Sequence, residues 1–201
     1  MTQVKLLLIT AFMLAGHTGY AASIAFNLAE CPTSCRIQPD SEDAPESAFD
    51  GHARAIDGKI KLVLPTRLNG NPLAKPLLVE KADLNFDGHA DILVSETVST
   101  NRAVHAWIFS PETQQFSYAG EAPPLKIDPL KKQLYTASKG ADNGSFVTTI
   151  YKIQNGQLTP TLSEQAEPTQ QNGIYKKTRY QIENGQAKLL KVEFAYGASG
   201  L

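Results

Sequence analysis

The sequence predicts an all-β protein of consecutive antiparallel hairpins, arranged as a small or incomplete β-propeller-like domain. Three observations carry this. Apolar and polar residues alternate over short stretches such as "GKIKLVLP", where Ile60, Leu62 and Leu64 share one face. Asn-Gly stands between such stretches at 155–156 and again at 184–185, supplying the two positive φ angles of a type I′ hairpin turn. No stretch of ten or more residues places its apolar positions at helical spacing.

Taken from the start of the chain, "MTQVK" is a short basic opening and "LLLITAFMLAG" an apolar run of eleven residues. "HTGYA" then brings small residues, Gly19 and Ala21, to the positions that precede cleavage after Ala21. This is the pattern of a secretory signal peptide over residues 1–21, and the run falls short of the roughly 20 residues that span a bilayer. Its length suits a bacterial export signal, so the expected compartment is the periplasm; no Cys follows the cleavage point to take a lipid anchor. Losing Lys5 with the leader takes the formal charge from −1 to −2, a balance that points to neither nucleic acid nor anionic lipid as partner.

Residues 22–55 read as an N-terminal segment with two features. "CPTSC" places Cys31 and Cys35 four residues apart, and in an exported chain the expectation is a disulfide. The loop it closes is so short that chain entropy gives it about 2 kcal/mol. A redox pair is more often C-x-x-C, and a thiolate metal site needs more Cys or His nearby. The second feature is "QPDSEDAPESAFDGHARA", an acidic, proline-containing stretch without apolar period, read as a linker.

Residues 56–201 hold the all-β domain. Strands are predicted at Lys59–Leu64, Leu77–Lys81, Asp91–Thr97, Val104–Ser110, Gln115–Tyr118, Leu134–Ser138, Val147–Gln154, Leu158–Leu162, Tyr175–Glu183 and Ala187–Phe194. Two hairpins, "FVTTIYKIQNGQL" and "YKKTRYQIENGQA", repeat at an offset of 29 residues, short for a full four-stranded propeller blade. A looser third copy, "AVHAWIFSPETQQFSYAG", carries a longer turn with Pro at its favoured position.

The most unusual stretch is "KADLNFDGHADILVS". Asp83, Asn85, Asp87, His89 and Asp91 occupy alternate positions, and Gly88 stands sixth, where the chain turns with φ positive. In a loop wound around a cation, alternate residues face inward. Asp83, Asn85 and Asp87 then offer side-chain oxygens, His89 its backbone carbonyl and Asp91 a closing carboxylate. Hard oxygen donors in that number suit Ca²⁺; Mg²⁺ demands tighter octahedral geometry, and Zn²⁺ prefers nitrogen or sulfur. The twelfth position, which an EF-hand fills with a bidentate Glu, is Val94, and "ILVSETV" reads as strand rather than helix. The expectation is a shorter β-type calcium loop joining two strands, with Glu80 and Glu96 as nearby sources of a further oxygen. The competing reading is a solvated Asp/Asn/Gly turn.

"VEKADLNFDGHADILVS", "HAWIFSPETQQFSYAGE" and "PLKIDPLKKQLYTASKGADNGSFVTTIYKIQNGQL" together resemble a family of exported bacterial proteins. That family combines a D-x-N-F-D-G-x-x-D loop, an aromatic strand ending in a P-x-T-x-x-F turn, a D-P-x-x-K element and a Y-x-[IVW]-x-[ND]-G-x-L hairpin. It is similar to the periplasmic immunity proteins that neutralise peptidoglycan-degrading effectors of bacterial secretion systems. The likeness covers residues 76–162. It implies a calcium-stabilised, propeller-like inhibitor that occludes the active site of a cell-wall hydrolase, with Asp83, Asn85, Asp87, His89 and Asp91 matching the cation loop. The Cys31/Cys35 segment and the acidic linker match nothing in the family, and no motif marks an inhibitory surface.

Partner contact is otherwise expected at "SKGADNGSF", with Lys139, Asp142, Asn143 and Phe146, and at the aromatic pair Tyr175 and Tyr180. Alternation within hairpins explains these residues equally well as sheet residues. Asp142 and Asn143 resemble the start of a second cation loop, but the spacing fails after Gly144. Exposed aromatics flanked by Asp, Asn and Gly also suit a carbohydrate-binding, lectin- or adhesin-like module. No nucleophile elbow, HExxH or phosphate loop is present, so the chain reads as a binding protein rather than an enzyme.

Overall fold

The computed structural model describes residues 20–27, 30–31, 33–37, 43–45, 52–56, 59–64, 77–96, 103–140 and 144–197. They contain no α-helix. Fifteen strands follow in order: β1 (Tyr20–Asn27), β2 (Ser34–Ile37), β3 (Asp43–Pro45), β4 (His52–Ile56), β5 (Lys59–Leu64), β6 (Leu77–Ala82), β7 (Asp91–Glu96), β8 (Val104–Ser110), β9 (Gln115–Ala122), β10 (Lys126–Asp128), β11 (Gln133–Lys139), β12 (Phe146–Gln154), β13 (Gln157–Pro168), β14 (Ile174–Glu183) and β15 (Gln186–Tyr196). All ten predicted strands are present, nine of them within four residues of their expected ends; the tenth, β13, runs six residues past Leu162 to Pro168.

Pairing is antiparallel throughout and builds two sheets. The first has nine strands in the order β2-β6-β7-β8-β9-β4-β5-β1-β3; the second is a six-stranded meander from β10 to β15. The all-β class with consecutive hairpins is therefore the observed one. The ladders run as two continuous sheets, however, and not as the four-stranded blades of a propeller. The 29-residue repeat shows why. Its two hairpins lie side by side in one sheet, because β13 is twelve residues long and pairs with β12 on one edge and β14 on the other. Both Asn-Gly turns have the expected backbone, with φ of 51° and 73° at Asn155 and Gly156 and 50° and 74° at Asn184 and Gly185.

Two packed clusters cover opposite faces of the first sheet. Ile92 and Val94 of β7 join Leu77, Val79, Trp107 and Phe116 on one face. Leu93, between them, points the other way with Ala106, Ala119 and Leu84, onto Leu134 and Leu158 of the second sheet. The middle of β7 is thus buried on both faces, which is why Ile92, Leu93 and Val94 form an unbroken apolar run rather than alternating.

The disulfide joins Cys31 and Cys35, with Cα atoms 5.3 Å apart. It is more than a local staple. Cys31 is 1% exposed within the first cluster, and Cys35 pairs with Val79 as β2 adds to β6 as the edge strand of the sheet. The acidic stretch read as a linker contains β3 and β4, and β4 bridges β5 to β9. These strands are only three and five residues long and carry little apolar alternation, so pairing rather than burial pattern defines them. Residues 1–19 of the expected leader lie outside the described residues; β1 begins at Tyr20, ahead of the expected cleavage point.

Candidate metal centre

Residues 83–90 connect β6 to β7, and the pair Ala82↔Asp91 closes the loop. It is a loop between two antiparallel strands, as its apolar flanks predict. Two residues turn with positive φ, Phe86 at 62° and Gly88 at 90°. An added Cβ at Gly88 would meet nothing within 4 Å, so the backbone angle alone favours glycine there.

The loop's polar side chains fold it onto its own amides. Asp83 accepts from the Asp87 N–H at 3.0 Å through Oδ1 and from the Gly88 N–H at 2.9 Å through Oδ2. Asn85 Oδ1 accepts from the same Asp87 N–H at 3.2 Å, and Asn85 Nδ2 donates to Asp87 Oδ2 at 2.7 Å. Asp87 Oδ1 accepts the His89 N–H at 2.8 Å and lies 3.2 Å from His89 Nδ1. That backbone N–H holds the Asp87 carboxyl below its usual range, with Asn85 and His89 side chains adding to it.

Asp91 differs from the rest because it is fully buried. Its Oδ2 accepts the Leu84 N–H at 2.7 Å and its Oδ1 the Phe109 N–H at 2.8 Å, so one carboxylate ties the loop's start to the end of β8. Burial pushes its pKa up to about 6, against the pull of those two amides, and the Asp87 and Asp83 charges add to the rise. His89 leans on the same strand, its ring 5.9 Å from that of Phe109.

The donor chemistry suits a hard cation. Each carboxylate oxygen that accepts an amide keeps a second lone pair, and the set adds a carboxamide oxygen and a backbone carbonyl. The directions are a separate matter. The three carboxylates serve different amides, and among the described residues no three His, Cys, Asp or Glu side chains stand together as a metal cluster. Of the proposed extra donors, Glu96 ends β7 at the far end from Asp91, and Glu80 pairs with Leu93 two positions in from the loop. Sequence reading missed Glu112. It sits in the β8–β9 turn, and its carboxyl, lowered first by its own backbone N–H and by Ser110, also feels Asp87 and His89. Only the pairing of β8 beside β7 brings that turn near the loop.

The expected partner residues are divided by the fold. Lys139 and Phe146 face each other across β11 and β12, and Phe146↔Ala166 and Pro168↔Tyr175 put Tyr175 on their face at the same end of the sheet. Tyr180, five residues on from Tyr175 in a regular strand, points to the opposite face. Asp142 and Asn143 lie outside the described residues. The loop that contains them is closed by Gly140 N–H donating to the Ser145 carbonyl at 2.9 Å.

Fold and loop together define an antiparallel all-β protein with a polar β6–β7 loop pinned to β8. No known family and no curated protein matches the chain. A solved structure described as that of a Xanthomonas type IV secretion system related protein is similar at a TM-score of 0.44 and 14% identity, over 85% of this chain and 99% of that one. A likeness that slight bears on neither fold nor function.

Proposed function

We propose that this chain is an exported, periplasmic binding protein whose 83–91 loop holds Ca²⁺, and that it acts as an immunity-type inhibitor, covering the active site of a peptidoglycan-degrading hydrolase. Support for the calcium reading comes from the oxygen-only donor set and from Asp91, which would transmit the ion's grip to β6 and β8 at once. The inhibitor reading rests on the resemblance that the motifs of residues 76–162 bear to exported immunity proteins. The single observation that carries partner binding is the end of the second sheet where Lys139, Phe146 and Tyr175 share a face, with Phe146 38% exposed. An exposed aromatic beside a cation and a glycine-containing loop is the composition of a protein-binding spot.

The test is lysis of purified cell walls by periplasmic hydrolases, with and without the protein. Wild type forms a stable complex and blocks lysis; Phe146→Asp, at a half-exposed strand start, keeps its melting point and loses both. Intact inhibition by that variant, or no complex with any hydrolase, would reject the reading.

A second reading has its own observation. An open groove of about 900 Å³ on the second sheet is lined by Gln133, Lys152, Gln154, Thr159, Gln181 and Glu183. Amide, hydroxyl and charged ends suit the hydroxyls of a carbohydrate, and Ile150, Leu162 and Leu190 in the same lining suit its apolar ring faces. Glycan binding that persists without a protein partner and is lost in Gln181→Ala would favour it.

A further inference from the structure

Strand β15 closes the six-stranded sheet and pairs, among the described strands, with β14 alone. Its apolar side chains are open to solvent: Leu189 is 56% exposed, Val192 45%, Phe194 68% and Tyr196 82%. They fall on one face, through the pairs Tyr180↔Leu189, Thr178↔Val192, Lys176↔Phe194 and Ile174↔Tyr196. The register shift at Arg179/Tyr180 absorbs Leu190 as an extra residue and so keeps Leu189 on the face of Val192. The other face carries Lys188, Lys191 and Glu193, the last two in an ion pair. A strand of eleven residues without proline, open along one edge and apolar on one face, is a template for another strand.

We propose that this edge pairs antiparallel with the same strand of a second copy, about a two-fold axis at Val192. The occupant follows from charge. With Val192 opposite itself, Lys191 of each copy faces Glu193 of the other, so the ion pair within each chain becomes a closed ring of four alternating charges. Because Leu190 is the extra residue of the bulge, Leu189 of one copy meets Phe194 of the other, and the ladder runs from Ala187 to Tyr196. Centring on Lys191 or on Glu193 opposes like charges on the axis, and centring on Phe194 leaves only Val192 to Tyr196 in the ladder. The favoured register also sets Val192 and Phe194 of both copies together on the apolar face, joining the two six-stranded sheets into one.

Sedimentation velocity of the mature chain over a wide range of loading tests this. Wild type shows a reversible monomer–dimer equilibrium. Glu193→Lys sets Lys191 of each copy against the introduced lysine of the other and raises the dissociation constant by about tenfold or more. Lys191→Glu combined with Glu193→Lys exchanges the charges, restores the ring and returns the constant to near wild type, a recovery that a merely folding-related role would not produce. A monomer at every loading, which would leave the edge to a strand of another protein, overturns the proposal. So does a Glu193→Lys variant that associates as wild type does.

Discussion

Lowering the pH should unload a specific amount of stability through His105. The ring is 4% exposed, packed 6.3 Å from Trp107 and 6.1 Å from Tyr118 between centroids. Its Nδ1 lies 3.0 Å from the Tyr118 hydroxyl, while Nε2 is buried with no protein partner. The nearest carboxylate, Glu121, stands 4.0 Å away, and its side chain is 55% exposed. Burial therefore dominates and lowers the pKa from 6.5 to about 4. The native state refuses a proton that the unfolded chain accepts. Stability from this source is complete above the unfolded pKa and is lost as pH falls from about 6.5 towards 4. A gap of about 2.5 units at 1.36 kcal/mol each makes the loss about 3 kcal/mol. Asp91 titrates in the same window with the opposite sign, because its folded pKa is raised, so the absolute curve mixes the two. The difference between wild type and His105→Phe isolates the histidine. Phenylalanine fills the same space, needs no partner at Nε2, and forfeits the Tyr118 bond as a constant offset of about 1 kcal/mol. Urea unfolding at half-unit steps from pH 7 to pH 4 should show the variant gaining on wild type by about 3 kcal/mol across the range. Parallel curves would refute the burial of a neutral imidazole.

Arg179→Met should cost about 3 kcal/mol, since Glu164 is 3% exposed and accepts from Arg179 Nη2 at 2.7 Å and Nε at 3.2 Å; adding Glu164→Gln should recover most of the loss in a denaturant double-mutant cycle. Asp91→Ala strips the Leu84 and Phe109 amides of their acceptor, and their hydrogen exchange should accelerate by at least about tenfold while exchange in β14 stays unchanged. Cys31→Ser with Cys35→Ser loses more than the roughly 2 kcal/mol of a five-residue loop, because Cys31 also fills the first-sheet core; chemical denaturation reads the total.

What the sequence discloses here tracks which physical signal each element relies on. Hairpin turns declare themselves because Asn-Gly is chosen for backbone angle, so the ends of β12–β15 at the two Asn-Gly turns are readable to within a residue. Strand β13 runs past its expected end because Ser163 and Glu164 look like loop residues; they are buried, and Glu164 is tolerated there only through Arg179 on the next strand. Strands β2, β3, β4 and β10, of three to five residues each, are defined by their neighbours' edges and carry no pattern of their own. The spacing of Asp83, Asn85, Asp87 and Asp91 is visible in the sequence, and so is a loop between strands. The separate role of Asp91 as a buried strut, and the approach of Glu112, depend on β8 lying beside β7, a long-range pairing that local spacing does not encode.

Titration of Ca²⁺ into chelator-treated protein, followed by calorimetry and by thermal melting, bears most directly on the claim that the 83–91 loop is a cation clamp for β6, β7 and β8. One ion per chain should bind, and at a hundredfold excess over the dissociation constant it should add about 2.7 kcal/mol, a rise of roughly 5–10 °C for a domain of this size. Asp87→Ala should abolish both signals. A wild-type melting curve unmoved by Ca²⁺ or by chelator, with no heat of binding, would reduce the loop to a solvated turn and remove the support for a calcium-held binding protein.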